Sequence, residues 1–269
     1  MVKAASQKAL FTLSRIISII TLSVASCGVI DLSLYRPSVP ENFIPGVLSQ
    51  DLVSLWVAVG LLLCEWLIRR GRNLVWLIWA GLIGYLFYAY ALYSFDGVYN
   101  PLYLFYLAII SLAIYALILF FTHADFRDIH LKTIQKPPPR KLTAVLFLFL
   151  ALLFAGLWLR ILIPAMRDRI PPDGNSIFVL DLSFVLPLLV VEARLLIKGT
   201  RLGDVLAIPL LIKAGTLGLS VFLGTLLAPW FDRQIDFASV GIYAVMGLGP
   251  LILIGPFLRS LSALPSKAV

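Results

Sequence analysis

Apolar residues run through this chain in long stretches, and short charged or proline-bearing breaks separate them. The stretches are about 17 to 25 residues long, the length a helix needs to cross a hydrocarbon core of roughly 30 Å at 1.5 Å per residue. Eight spans are predicted, over residues 10–30, 52–68, 74–95, 102–122, 142–165, 177–197, 205–228 and 238–258. Only helices satisfy their backbone polar groups inside such segments, so the expected fold is an all-α, polytopic transmembrane helical bundle.

The breaks carry the orientation. Fifteen Lys and Arg fall on one side of the predicted spans, and only Arg36, Arg167, Arg169 and Arg233 fall on the other. By the positive-inside rule this bias places both termini in the cytoplasm. Two connections are long. The outer segment 31–50 contains Pro37, Pro40 and Pro45 and reads as too broken to span, while the inner segment 123–141 ends in Pro137-Pro138-Pro139, a stiff spacer. The prolines divide the chain into an N-terminal membrane half (1–136, four spans), a Pro-rich cytoplasmic linker (137–141) and a C-terminal membrane half (142–269, four spans). The second span of each half opens on Asp-Leu, at Asp51 and Asp181, and ends in Glu followed by basic residues, at Glu65 and Glu192. Halves of four spans would be related by an axis along the membrane normal.

Composition strengthens this picture. Of 269 residues 61% are hydrophobic and 13% charged, outside the range of soluble domains. The formal charge of +8 suggests nucleic acid at first, but it is gathered in the loops, so no nucleic acid partner is expected. Membrane lipids and a small-molecule solute are the expected partners. The first stretch carries Arg15 and runs into Asp31 with no small-residue cleavage site, so it reads as a retained span. Cys27 and Cys64 lie at opposite depths and are expected as core fillers without a disulfide. His123 and His130, seven residues apart beside Asp125 and Asp128, read as part of a solvated linker that a short helix would present on one face. The loops and motifs of nucleotide, hydrolase and zinc-protease sites are absent, and neither a metal nor a cofactor is expected.

Ionisable groups inside a span cost roughly 2.5 to 3.5 kcal/mol each, so they are candidates for function. Lys213 is the deepest, with Thr216 and Ser220 on one stripe behind it. Asp181, just inside the outer end of the sixth span, is expected to pair with Arg160 or Lys213. Glu65 and Glu192 are expected to reach towards neighbouring cytoplasmic basic residues. Tyr93 and Tyr99 read as interfacial anchors, whereas Tyr85 and Tyr88 sit deeper and need partners for their hydroxyls. Together Asp51, Ser54, Tyr85, Tyr88, Asn100, Arg160 and Asp181 are expected to line an outward-facing cavity, with Lys213 as the cationic partner.

The runs Asp51-Leu52-Val53-Ser54-Leu55, Gly84-Tyr85 with Tyr88 and Tyr90, Tyr99-Asn100, and Val179-Leu180-Asp181-Leu182 with Val185-Leu186-Pro187 resemble a group of prokaryotic multi-span membrane proteins of uncharacterised function. The resemblance covers residues 48–122 and 176–222, and Ala89 stands where that pattern has Asn between two tyrosines. It implies a helical protein of a bacterial or archaeal cytoplasmic membrane and no particular activity. The first functional expectation is a small-solute transporter or binding protein with Asp51, Asp181 and Lys213 in its pocket. The alternatives are an intramembrane enzyme acting on a lipid or quinone, and a non-catalytic subunit or assembly factor.

Overall fold

A computed structural model describes residues 2, 4–126, 129–131, 137–235 and 237–263. Its helices are α1 (Ala4–Ile30), α2 (Ile44–Arg69), α3 (Val75–Phe95), α4 (Tyr103–His123), α5 (Arg140–Asp168), α6 (Asn175–Leu180), α7 (Leu186–Ile197), α8 (Arg201–Leu227) and α9 (Phe237–Ser260). A π-helical turn, Asp181–Val185, joins α6 to α7, so these three form one span. Among the described residues eight helical spans are long and apolar enough to cross a membrane, and the protein is an all-α bundle of multi-pass type.

Two boundaries differ from the sequence reading for the same reason. α2 starts at Ile44, not near residue 52, because Pro45 occupies its first turn, where a missing N–H costs nothing. The predicted linker ends earlier, since Arg140 and Lys141 already belong to α5 behind Pro139. Pro187 has the opposite effect in the sixth span. An α-helical turn before it would press the ring on the Ser183 carbonyl, and the π turn widens the backbone there, with the Leu186 N–H bonded to the Asp181 carbonyl.

Helix packing repeats between the halves. In the first, α1 packs on α2, α2 on α3, α3 on α4 and α1 on α4; in the second, α5 packs on α7, α7 on α8, α8 on α9 and α5 on α9. That is the arrangement a parallel duplication predicts, and the halves meet where α3 crosses α8. These are the two most buried spans. Gly81 permits the crossing: a Cβ there would lie 2.5 Å from the Ile212 Cβ and 2.7 Å from the Pro209 carbonyl oxygen. The halves share one apolar core.

An even number of spans returns the chain to one end of the bundle. There Val2 bridges to Ala124, and strands β1 (Ile129–Leu131) and β2 (Leu261–Ala263) pair antiparallel, Ile129 opposite Ala263. His123 ends α4 and His130 lies in β1, so the two do not share a helix face. Lys3, Arg127, Lys132, Lys136 and Lys267, counted in the charge bias, lie outside the described residues, as does Asp128. Arg69, Arg70, Arg140, Arg194, Lys198 and Arg201 gather at this same basic end.

Candidate functional site

The residues expected to share one cavity form two separate clusters. The first surrounds Asp51, which is fully buried in α2. Its Oδ2 accepts a hydrogen bond from the Tyr35 hydroxyl at 2.6 Å and its Oδ1 one from the Tyr93 hydroxyl at 3.2 Å. Tyr93 is therefore an internal donor and not an interfacial anchor. Gly28 of α1 backs the pair, and a Cβ there would collide with Asp51 Oδ2 and the Tyr35 hydroxyl. Tyr85 donates to the Gln50 carbonyl at 3.2 Å, with the Ser54 hydroxyl at 3.4 Å. Asn100 sits at the rim, donating to the Tyr106 hydroxyl (2.9 Å) and the Leu34 carbonyl (3.3 Å) and accepting from the Leu102 N–H. This cluster holds α1, α2, α3 and the loops above them together.

The second cluster lies where the halves meet. Asp181, at the π turn, accepts from the Tyr88 hydroxyl and from the Trp158 indole N–H, each at 2.8 Å. Arg160, proposed from the sequence as its partner, is exposed on α5 among the exposed Leu159 and Ile161. The reason is angular: Trp158 faces α7, and two residues on, about 200° around a helix, the side chain points away. Lys213 arrives from α8. Its stem passes Gly84, where an added Cβ would lie 3.8 Å from the Lys213 Cγ, and its Nζ lies 3.9 Å from the centroid of the Tyr88 ring, one turn along α3. That Nζ is buried and has no hydrogen-bond partner. Behind it the expected polar stripe dissolves, for the Thr216 hydroxyl bonds back to the Ile212 carbonyl at 2.7 Å.

Lys213 and Asp181 are not in direct contact. They line one internal cavity of about 30 Å³, with Leu150, Phe154, Leu189 and Met246 among its apolar walls. That volume holds one or two waters. A π turn that carries a buried carboxylate into such a space is a recurrent mark of function, since it costs helix regularity.

The glutamates divide. Glu65 does pair with basic residues, with Arg15 and with Arg69 Nε at 2.8 Å. Glu192 does not: it is 1% exposed and both carboxyl oxygens lack partners. Arg140 of α5 is engaged by Asp204 through two bonds of 2.5 and 2.6 Å. Cys64 is buried as expected, whereas Cys27 is exposed and free.

Sequence reasoning missed Trp158, Tyr35 and the isolation of Glu192. An indole four residues after Phe154 on a buried helix face was a usable signal, because a buried Trp seeks an acceptor. Tyr35 carried no such signal, being one aromatic in a proline-rich loop. Among the described residues no group of three His, Cys, Asp or Glu could hold a metal.

Fold and site describe a helical bundle of multi-pass membrane type with a small cavity, lined by Asp181 and Lys213, among the helices α5 to α9. Comparison with family models, with curated proteins and with solved structures gives no match.

Proposed function

We propose that the protein is a small-solute transporter, in a prokaryotic cytoplasmic membrane, whose site is the cavity between Asp181 and Lys213. One observation carries this reading: a lysine ammonium buried in the bundle has no hydrogen-bond partner and faces the same cavity as a carboxylate. Such a group costs stability, and its contact with the Tyr88 ring leaves its N–H donors unmet, so its retention points to a ligand. The position of the site supports transport. Its walls come from the second half, and Tyr88 of the first half contacts both Asp181 and Lys213, so rocking of the halves about the α3–α8 crossing would uncover it. The present cavity, with room for water alone, corresponds to the closed state of such a cycle.

Opposite charges across a small space with apolar walls suit a compact charged or zwitterionic solute. Uptake into proteoliposomes of radiolabelled amino acids, short carboxylic acids and small amines tests this. At least one should accumulate with the wild-type protein and not with Lys213→Met or Asp181→Asn. Uptake equal to empty liposomes throughout, or unchanged in both variants, overturns the reading.

A further inference from the structure

Of the buried side chains without a hydrogen-bond partner among the described residues, one carries an amine, Lys213, and one a carboxyl group, Glu192. Glu192 lies on α7, eleven residues after Asp181 and so about 16 Å further towards the basic end. Glu192 lines no cavity itself, but residues beside it line two. Leu189, one turn before it, lines the central cavity beside Asp181 and Lys213. Asp204, whose charge acts on Glu192, lines a second cavity of about 200 Å³ at the basic end, together with Arg140, Gly199 and Arg201. Glu192 is therefore the one carboxyl group between the two spaces among the described residues.

Its surroundings do not support a charge. α7 packs on α5 and α8; of the charged groups on these helices Asp204 acts on Glu192, and Arg140 is bonded to Asp204. Those two are bonded to each other by both nitrogens of a fork, so Arg140 is occupied and Glu192 is left without a partner. The adjacent Asp204 carboxylate disfavours a second negative charge nearby. Thr143 of α5, also buried, has an unpaired hydroxyl as well. A buried acid with no partner is tolerable when it holds a proton and costly once it loses it.

We propose that Glu192 is a proton-binding site that exchanges with water in the basic-end cavity and supplies the coupling ion for the solute site. The second half of this statement rests on the transporter reading; the first does not. A proton moves from water in the basic-end cavity to a Glu192 oxygen, and on release it returns to water there or in the central cavity. No other bond changes.

The test needs no solute. Proteoliposomes adsorbed on a solid-supported membrane are given a pH jump in solute-free buffer, and the transient charge movement is recorded. The wild-type protein should give a transient that is lost in Glu192→Gln and kept, with a shifted pH midpoint, in Glu192→Asp. Glu192→Met, apolar and of similar length, is the second variant and should behave as Gln does, so failure of one to fold leaves the test intact. A transient of wild-type size in the Gln or Met variant, or no wild-type transient above empty liposomes, overturns the proposal. Loss of the transient in these variants with no solute uptake in any assay would leave the proton site standing and remove the transporter reading. Uptake with a Glu192-independent transient would do the reverse.

Discussion

Replacing Lys213 by Met separates a functional lysine from one that serves the fold. Met keeps the length and most of the volume of the side chain while removing the charge, and its thioether tolerates both the Tyr88 ring and the apolar cavity walls. Two terms compete. The wild-type ammonium gains a cation–π interaction of about 0.5 to 2 kcal/mol on Tyr88, 3.9 Å away. Against this, a buried donor without a partner costs about 1 to 3 kcal/mol, and more when it is charged. No carboxylate is bonded to Nζ, and Asp181 across the cavity keeps its donors from Tyr88 and Trp158, so removing the lysine avoids most of the loss seen when a bonded ion pair is broken. The second term wins, so Lys213→Met should be stabilised by about 1 to 2 kcal/mol. For a chain of this size that is an increase of a few degrees, at roughly 2 to 4 °C per kcal/mol. Thermal unfolding in detergent, followed by intrinsic tryptophan fluorescence, reads the shift. Uptake lost together with a raised Tm is the signature of a group kept for function at the expense of stability. A Tm lowered by several degrees would refute the reasoning, for it would mean that Lys213 ties the helices together.

Gly28→Ala should act in the opposite sense at the other cluster: the added methyl collides with Asp51 and Tyr35, so overpacking of about 1 to 3 kcal/mol outweighs the gain of roughly 1 kcal/mol from helix propensity. Tm should fall while solute-free pH-jump currents keep their size. Tyr35 sits in the loop between the first two spans, and burial, followed by the adjacent Asp51 charge, pushes its phenol well above the usual value. A group raised in the folded state loses its contribution as pH rises past the unfolded value of about 10, so Tm should decline between about pH 9.5 and 11. Tyr35→Phe should flatten that part of the profile, and an unchanged slope would show that Tyr35 titrates freely.

The number and length of the spans were legible because the rule behind them is local: an apolar run of the right length stays in lipid whatever surrounds it. Asp51, Tyr85, Tyr88, Asp181 and Lys213 could be selected as buried on the same grounds, since depth is a property of position along one span. Which of them meet was not legible. That depends on helix rotation and on crossings such as Gly81 against Ile212, which bring α3 and α8 together across 128 to 131 residues of chain. Arg160 illustrates the difference. Its depth matched that of Asp181, and a rotation of two residues on α5 sent it to the lipid face while Trp158 took its place. Pro45 misled for a related reason, because proline reads as a break until its place in the first helical turn is known.

The distribution of satisfied and unsatisfied groups then distinguishes the two clusters physically. Around Asp51 both carboxyl oxygens have donors, glycine seals the contact, and the neighbouring phenol of Tyr85 has its acceptor; such a network holds a shape and leaves little for a ligand to gain. Along α7 and α8 the accounting stays open, with an ammonium and a carboxyl lacking partners on either side of Leu189, each beside a cavity. Those groups gain most from anything that enters, whether a proton, a water or the charge of a solute, because their desolvation has already been incurred in folding. A ligand that completes them would bind tightly for its size. The second half of the protein is thus where binding can do work on the structure, and the first half, cemented around Asp51, is what it works against.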